Sequence, residues 1–142
     1  MLFENWIEFA KNDLETAEIL TSHYPIKANI ICWHCQQCVE KSLKAVLVKQ
    51  ATIPEKTHDL KRLCQLCSEY NPEFMEFMQS CAYLSVYAVV VRYPNEIDLS
   101  EEDAAAAIKY TKEIYEYVEK MLYSSEEEIP KEEIKCKNQA RD

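Results

Sequence analysis

No glycine occurs anywhere in the 142 residues. Left-handed helix caps and primed hairpin turns both lean on glycine, so its absence argues against a β-rich fold. Long apolar runs are missing too: nothing approaches the roughly 20 apolar residues a membrane-spanning helix needs, and no membrane contact is expected. Positive charge is in deficit. Sixteen Lys and Arg face 25 Asp and Glu, for a formal net charge of −9. A chain of that sign does not gather nucleic acid by bulk attraction, so contact with a nucleotide or RNA must be local. Met1–Trp6 offers neither the basic start nor the apolar core of a signal peptide. With an odd number of cysteines, seven, this predicts reduced thiols and a cytoplasmic chain.

What is present is helical periodicity over one domain. Apolar residues recur at 3.6-residue spacing in five segments, which predicts an all-α, antiparallel up-and-down bundle of about five helices over residues 1–123. Residues 124–142, rich in mixed charge, are expected to form a frayed tail. Helix one is predicted from Glu4 to Ser22 and helix two from Lys27 to Gln50. Helix three is expected to start at a Thr57 N-cap, with Asp59 near its positive end. Asn71-Pro72 opens helix four as cap and first residue, and its period continues to Val91 before Tyr93-Pro94 stops it. Ser100-Glu101-Glu102-Asp103 resembles a capping box at the start of helix five.

The segment Cys32-Trp33-His34-Cys35-Gln36-Gln37-Cys38 has the look of a metal knuckle. On a helix, however, Cys32 and Cys38 stand about 9 Å apart along the axis. Sulfurs sharing one zinc lie within about 4.6 Å of each other, so no metal is expected. Cys32 and Cys35 fall instead on an apolar stripe with Ala28, Ile31, Val39, Leu43, Val46 and Leu47, where thiols act as small hydrophobes. Cys64 and Cys67 occupy the same kind of position on helix three. No cofactor is predicted.

The opposite face of helix two carries His34, Gln37, Lys41 and Lys44. Such a face is either solvated or a polar line aimed at a groove, where imidazole, amide and ammonium groups can hold a phosphate or a base edge. His58 and Asp59 stand at the start of helix three. There they either bond the local backbone or contact a ligand near helix two. Arg92 ends a long apolar helix, beside Tyr93. It caps carbonyls, pairs with Glu96 or Asp98, or points into a cleft. Apart from Tyr93, these three regions lie in residues 25–92, the only net-basic part of the chain.

Taken together, these residues resemble the HEPN family of all-α domains. The resemblance rests on Trp6 to Leu14 with Ala17, on His34-Cys35-Gln36-Gln37-Cys38-Val39-Glu40-Lys41-Ser42-Leu43-Lys44-Ala45, on Thr57-His58-Asp59-Leu60, and on Arg92-Tyr93-Pro94. It implies a helical homodimer that binds a nucleotide or a nucleotidyltransferase partner, as in toxin–antitoxin-like pairs. It would place His34, Gln37, Lys41, Lys44, His58, Asp59, Arg92 and Tyr93 at the binding surface. Many members are metal-independent ribonucleases in which four to six residues separate an arginine from a following histidine. Here Arg92 is followed by Ile97, Asp98 and Leu99 at those positions, and no histidine occurs after His58. The family's arginine-to-histidine motif is therefore incomplete. The alternative the resemblance leaves is a divergent ribonuclease toxin using Arg92 with His34 or His58.

Overall fold

The computed structural model describes the backbone of residues 1–90 and 98–141, and the side chains of residues 1–89 and 98–124. The chain forms α1 (Phe3–Leu20), α2 (Ala28–Lys49), α3 (Leu60–Tyr70), a 3₁₀ turn (Pro72–Phe77), α4 (Met78–Ser85), α5 (Tyr87–Val90) and α6 (Glu101–Arg141). Among the described residues there is no strand. The all-α bundle predicted from the apolar period is what the chain builds.

At its centre lies α2. Its predicted stripe is buried throughout, and so are Gln36, Cys38, Glu40, Ser42, Lys44 and Ala45. A helix covered on nearly every side is a core element rather than an amphipathic surface helix. The lysine-bearing face is covered by α1, which runs antiparallel to α2: Phe3 lies under Lys49, Trp6 under Lys44, and Asp13 beside His34 and Lys41. α6 covers the other side in the same direction as α2, from Asn29 beside Leu99 to Lys49 beside Leu122. The loop after α2 doubles back alongside that helix and sets His58 beside Glu40.

The caps explain where helices begin. Ser100 Oγ accepts from the Asp103 amide at 3.1 Å, and Asp103 Oδ2 accepts from the Ser100 amide at 2.9 Å, the reciprocal box expected there. Asn71 Oδ1 accepts from Glu73 N at 3.1 Å ahead of Pro72. The cap of α3 is Asp59 rather than Thr57. Its carboxylate accepts from the amides of Lys61 (3.0 Å) and Arg62 (3.4 Å), answering two free donors at a positive helix end. Thr57 instead accepts from the Asp59 amide at 3.1 Å.

The single helix expected from Pro72 onward is divided. After Pro72 the backbone tightens into a 3₁₀ turn, which sets Phe74 edge-on against Tyr117 with ring centroids 5.4 Å apart. α4 and α5 are then separated at Val86, where β-branched residues begin to crowd the preceding turn.

A glycine-free chain must end α2 some other way. Ala51 takes the left-handed conformation at φ 58°. Its amide reaches Val48 O, and Thr52 N reaches Leu47 O, both at 2.9 Å. This is the paired-bond helix ending normally built on glycine. An alanine there bears a steric cost of about 1 kcal/mol. Ala51→Gly should therefore raise the melting temperature by roughly 3 °C. An unchanged or lower midpoint in a thermal scan would show that the strain is absent.

Candidate functional site

Two buried carboxylates organise the polar side chains predicted to be functional. The first is Asp13 on α1, 8% exposed. Its Oδ1 lies 2.9 Å from His34 Nδ1, and its Oδ2 accepts from Lys41 Nζ at 2.6 Å. Spacing explains its position. Asp13 sits between Ala10, Leu14 and Ala17 on the inward stripe of α1, so the helix carries its carboxylate toward α2.

The second is Glu40 on α2, 5% exposed. Oε1 lies 2.8 Å from His58 Nδ1 and accepts from Gln36 Nε2 at 3.2 Å, while Oε2 accepts from Lys44 Nζ at 3.3 Å. Gln36 Nε2 also reaches the His58 carbonyl at 3.2 Å, and Gln37 Nε2 donates to Gln36 Oε1 at 2.7 Å. Lys44 Nζ sits 5.7 Å from the centre of the Trp6 ring. A buried carboxylate is tolerated only when paired and hydrogen-bonded, and each of these has a lysine and an imidazole.

The arrangement has chemical consequences. Beside an acceptor-only carboxylate, the ring nitrogen of each histidine must carry the proton on Nδ1. Nε2 is then left as an acceptor in the neutral ring and a donor in the protonated one. The His58 side chain is 61% exposed and the His34 side chain 21%, so both imidazoles are held at one edge and reachable at the other. Lys41 and Lys44 are already matched by carboxylates, so the lysine pair adds little unbalanced positive charge. Asp59 serves as the α3 cap described above.

Arg92 and Tyr93 lie outside the described residues, as does Glu96. The chain on either side of them does not. Ser85 Oγ accepts from Leu60 N at 3.2 Å, two residues from His58, and Leu99 N donates to Asn29 Oδ1 at 3.4 Å on the first turn of α2. Tyr87, at the start of α5, is buried inside the chain.

Sequence reading named the histidines and lysines but missed Asp13, and it used Gln36 and Glu40 only as parts of a motif. A usable signal existed for Asp13: an acid placed within an i, i+3, i+4, i+7 apolar set.

The thiols are core groups. Cys32, Cys35, Cys38, Cys64, Cys67 and Cys81 are free and buried. Burial pushes Cys32 and Cys35 up to about 12, and raises Cys38 and Cys67 as well. A hydrogen bond between Cys64 and Cys81 lowers the first and raises the second. Cys64 Sγ also lies 3.0 Å from Phe74 O and Cys67 Sγ 3.4 Å from Leu43 O. Among the described residues, no three His, Cys, Asp or Glu side chains gather as a metal site. No described helix is long and apolar enough to cross a membrane.

Comparison with known proteins places this geometry. The family profile described as "HEPN domain" matches residues 3–121. The chain is 26% identical over 135 residues to a Methanocaldococcus jannaschii protein named "Putative toxin MJ1304", covering 82% of this chain and 86% of that protein. The crystal structure of ST0689, described as an archaeal HEPN homologue, superposes with a TM-score of 0.66 at 26% identity, over 85% of this chain and 98% of that one. TT1696 from Thermus thermophilus shares the fold with a TM-score of 0.67 at 20% identity, over 83% of this chain and 96% of that one.

Proposed function

The chain belongs to the HEPN family, and on that premise we propose that it is the HEPN half of a toxin–antitoxin-like pair. It engages a nucleotidyltransferase partner or a nucleotide through the exposed edges of His34, Gln37, Lys41, His58 and Asp59, together with Arg92 and Tyr93. Lys44 stands behind this surface as a buried support. In this reading the protein acts as a homodimer and by binding rather than by cleavage.

One observation carries the reading: two imidazoles held through Nδ1 by buried carboxylates. Replacing a buried ion network by well-packed apolar residues is often neutral or stabilising, so such a network contributes little that a leucine core could not. What it does contribute is position. His34 and His58 present a fixed outer nitrogen to whatever lies on the surface. The "toxin" in the name of the Methanocaldococcus jannaschii relative supports the paired setting. The net charge of −9 favours a protein partner or a single nucleotide over a long nucleic acid.

The test is binding of ATP, and of a co-expressed nucleotidyltransferase, to wild type, Arg92→Ala, Arg92→Lys and His34→Ala. Arg92→Ala should weaken binding about tenfold or more with helix content unchanged. Arg92→Lys should weaken it nearly as much, because lysine cannot hold phosphate by two parallel bonds. Wild-type binding by Arg92→Ala would sink the proposal. The exposed, carboxylate-held His58 favours one second reading, a divergent metal-independent ribonuclease with His58 as acid–base. Cleavage of RNA by wild type, abolished by His58→Ala, would establish that reading instead.

A further inference from the structure

Cys64 and Cys81 face each other across the α3–α4 pair, and neither belongs to the polar network described above. Two contacts fix the register. Leu60 N donates to Ser85 Oγ at 3.2 Å, joining the start of α3 to the end of α4. Cys64 and Cys81 each lie one turn inward from that contact, on α3 and α4 respectively. Antiparallel helices advance equally per residue, so the two thiols meet, and a hydrogen bond joins them. We propose that Cys64 and Cys81 are an oxidative modification site, which a hydroperoxide converts to a disulfide tying α3 to α4. This inference is independent of the binding surface proposed above.

Helix geometry selects the pair. A disulfide needs Cβ atoms about 3.5–4.5 Å apart, whereas residues three apart on a helix hold theirs about 5–6 Å apart. Cys32–Cys35, Cys35–Cys38 and Cys64–Cys67 are pairs of that kind, within α2 or α3. None of them closes without distorting its helix. Cys64 and Cys81 stand on two different helices and escape that constraint.

The hydrogen bonds also order the chemistry. Cys64 donates to the Phe74 carbonyl at 3.0 Å, so Cys81 is the donor between the two sulfurs. That bond lowers Cys64 and raises Cys81. Thiolate is the nucleophilic form, which makes Cys64 the attacking sulfur and Cys81 the resolving one. The Cys64 thiolate attacks one oxygen of hydrogen peroxide, the O–O bond breaks, and hydroxide leaves a sulfenic acid behind. Cys81 then attacks that sulfur, the S–O bond breaks, and water departs. Two thiols and one peroxide thus give one disulfide and two waters, the sulfurs losing the two electrons that oxygen gains. Both thiols are fully buried, so the oxidant is small and enters by a brief opening of α4. With 8 residues between the 3₁₀ turn and the division at Val86, α4 is too short to hold itself together.

The experiment exposes the reduced, folded chain to excess hydrogen peroxide, alkylates the remaining thiols in denaturant, and maps links by mass spectrometry. Trypsin leaves Cys64, Cys67 and Cys81 on one peptide, because no Lys or Arg lies between Arg62 and Arg92. Cleavage after Glu69, Glu73 and Glu76 separates Cys81 from the other two, and fragmentation then tells Cys64 from Cys67. The expected product is about 2 Da lighter, links Cys64 to Cys81, and reverts with dithiothreitol. Cys67→Ala should still form the link, whereas Cys64→Ala and Cys81→Ala should not. Mapping on the wild type decides the matter even where a variant fails to fold. A link to any other cysteine overturns the proposal. So does a chain left with every thiol free, or with Cys64 oxidised beyond the sulfenic acid and unlinked, under peroxide that fully oxidises glutathione in a parallel tube.

Discussion

Raising the solution from about pH 8 to about pH 10 should cost the fold about 5 kcal/mol, as much as the whole stability of many small domains. The cause is the buried thiols. An unfolded cysteine ionises near 8.5–9, whereas burial holds Cys32 and Cys35 protonated up to about 12 and raises Cys38 and Cys67 too. A group whose folded value is raised keeps its full contribution below the unfolded value. That contribution is lost as the pH climbs toward the folded one. The window here opens near pH 9 and closes near 12. Across it each thiol removes about 1.4 kcal/mol per pH unit, and four act together. Tyr87 and Tyr115, raised mainly by burial, add to the loss at the upper end. Urea unfolding under reducing conditions at a series of pH values measures this directly. A midpoint that stays flat to pH 10 would mean that the thiols are far more hydrated than their burial implies.

The second large effect is Glu40→Ala, expected to destabilise the domain by about 3–5 kcal/mol. Glu40 and Lys44 have side chains only 6% and 9% exposed, so removing the carboxylate leaves an ammonium buried and unanswered. Gln36 and His58 lose their acceptor at the same time, and each orphaned donor adds to the cost. The exposed pair Glu55–Arg62, with side chains 48% and 47% exposed, makes an internal comparison: Arg62→Ala should hardly move the midpoint. The double change Glu40→Leu with Lys44→Met should recover much of the loss, because it removes both charges together. If Glu40→Ala unfolds like wild type, water reaches the network and the anchoring role assigned to it is wrong.

The bundle was legible in the sequence because apolar spacing is a strong signal over long segments. Every residue of the Ala28–Leu47 stripe is buried, and the Ser100–Asp103 box formed as read. The division at Val86 was not legible, since period alone does not register how β-branched side chains crowd a turn. The cap of α3 shifted by two residues because threonine and aspartate both cap well, and only the backbone's path chose between them. At the site, the sequence named His34, Lys41, Lys44 and His58 but could not say what held them. Asp13 stands 21 residues from His34 and 28 from Lys41, and no local pattern links them until two helices pack. The lysine face read as solvated or groove-lining because amphipathicity is judged one helix at a time, whereas α1 covers much of that face and leaves only the edges of His34, Gln37 and Lys41 open.

Because α2 sits at the centre, the order of synthesis has consequences. α1 and α2 leave the ribosome first, and their pairing through Asp13, His34 and Lys41 needs nothing further along the chain. The thiol-lined flank of α2 must then wait for α6, whose described buried residues end at Leu122. At about 5–20 residues per second, the nascent chain carries that uncovered flank for roughly 4–15 s. For that interval a surface fully enclosed in the finished molecule is a sticky one, open to chaperones and to neighbouring nascent chains.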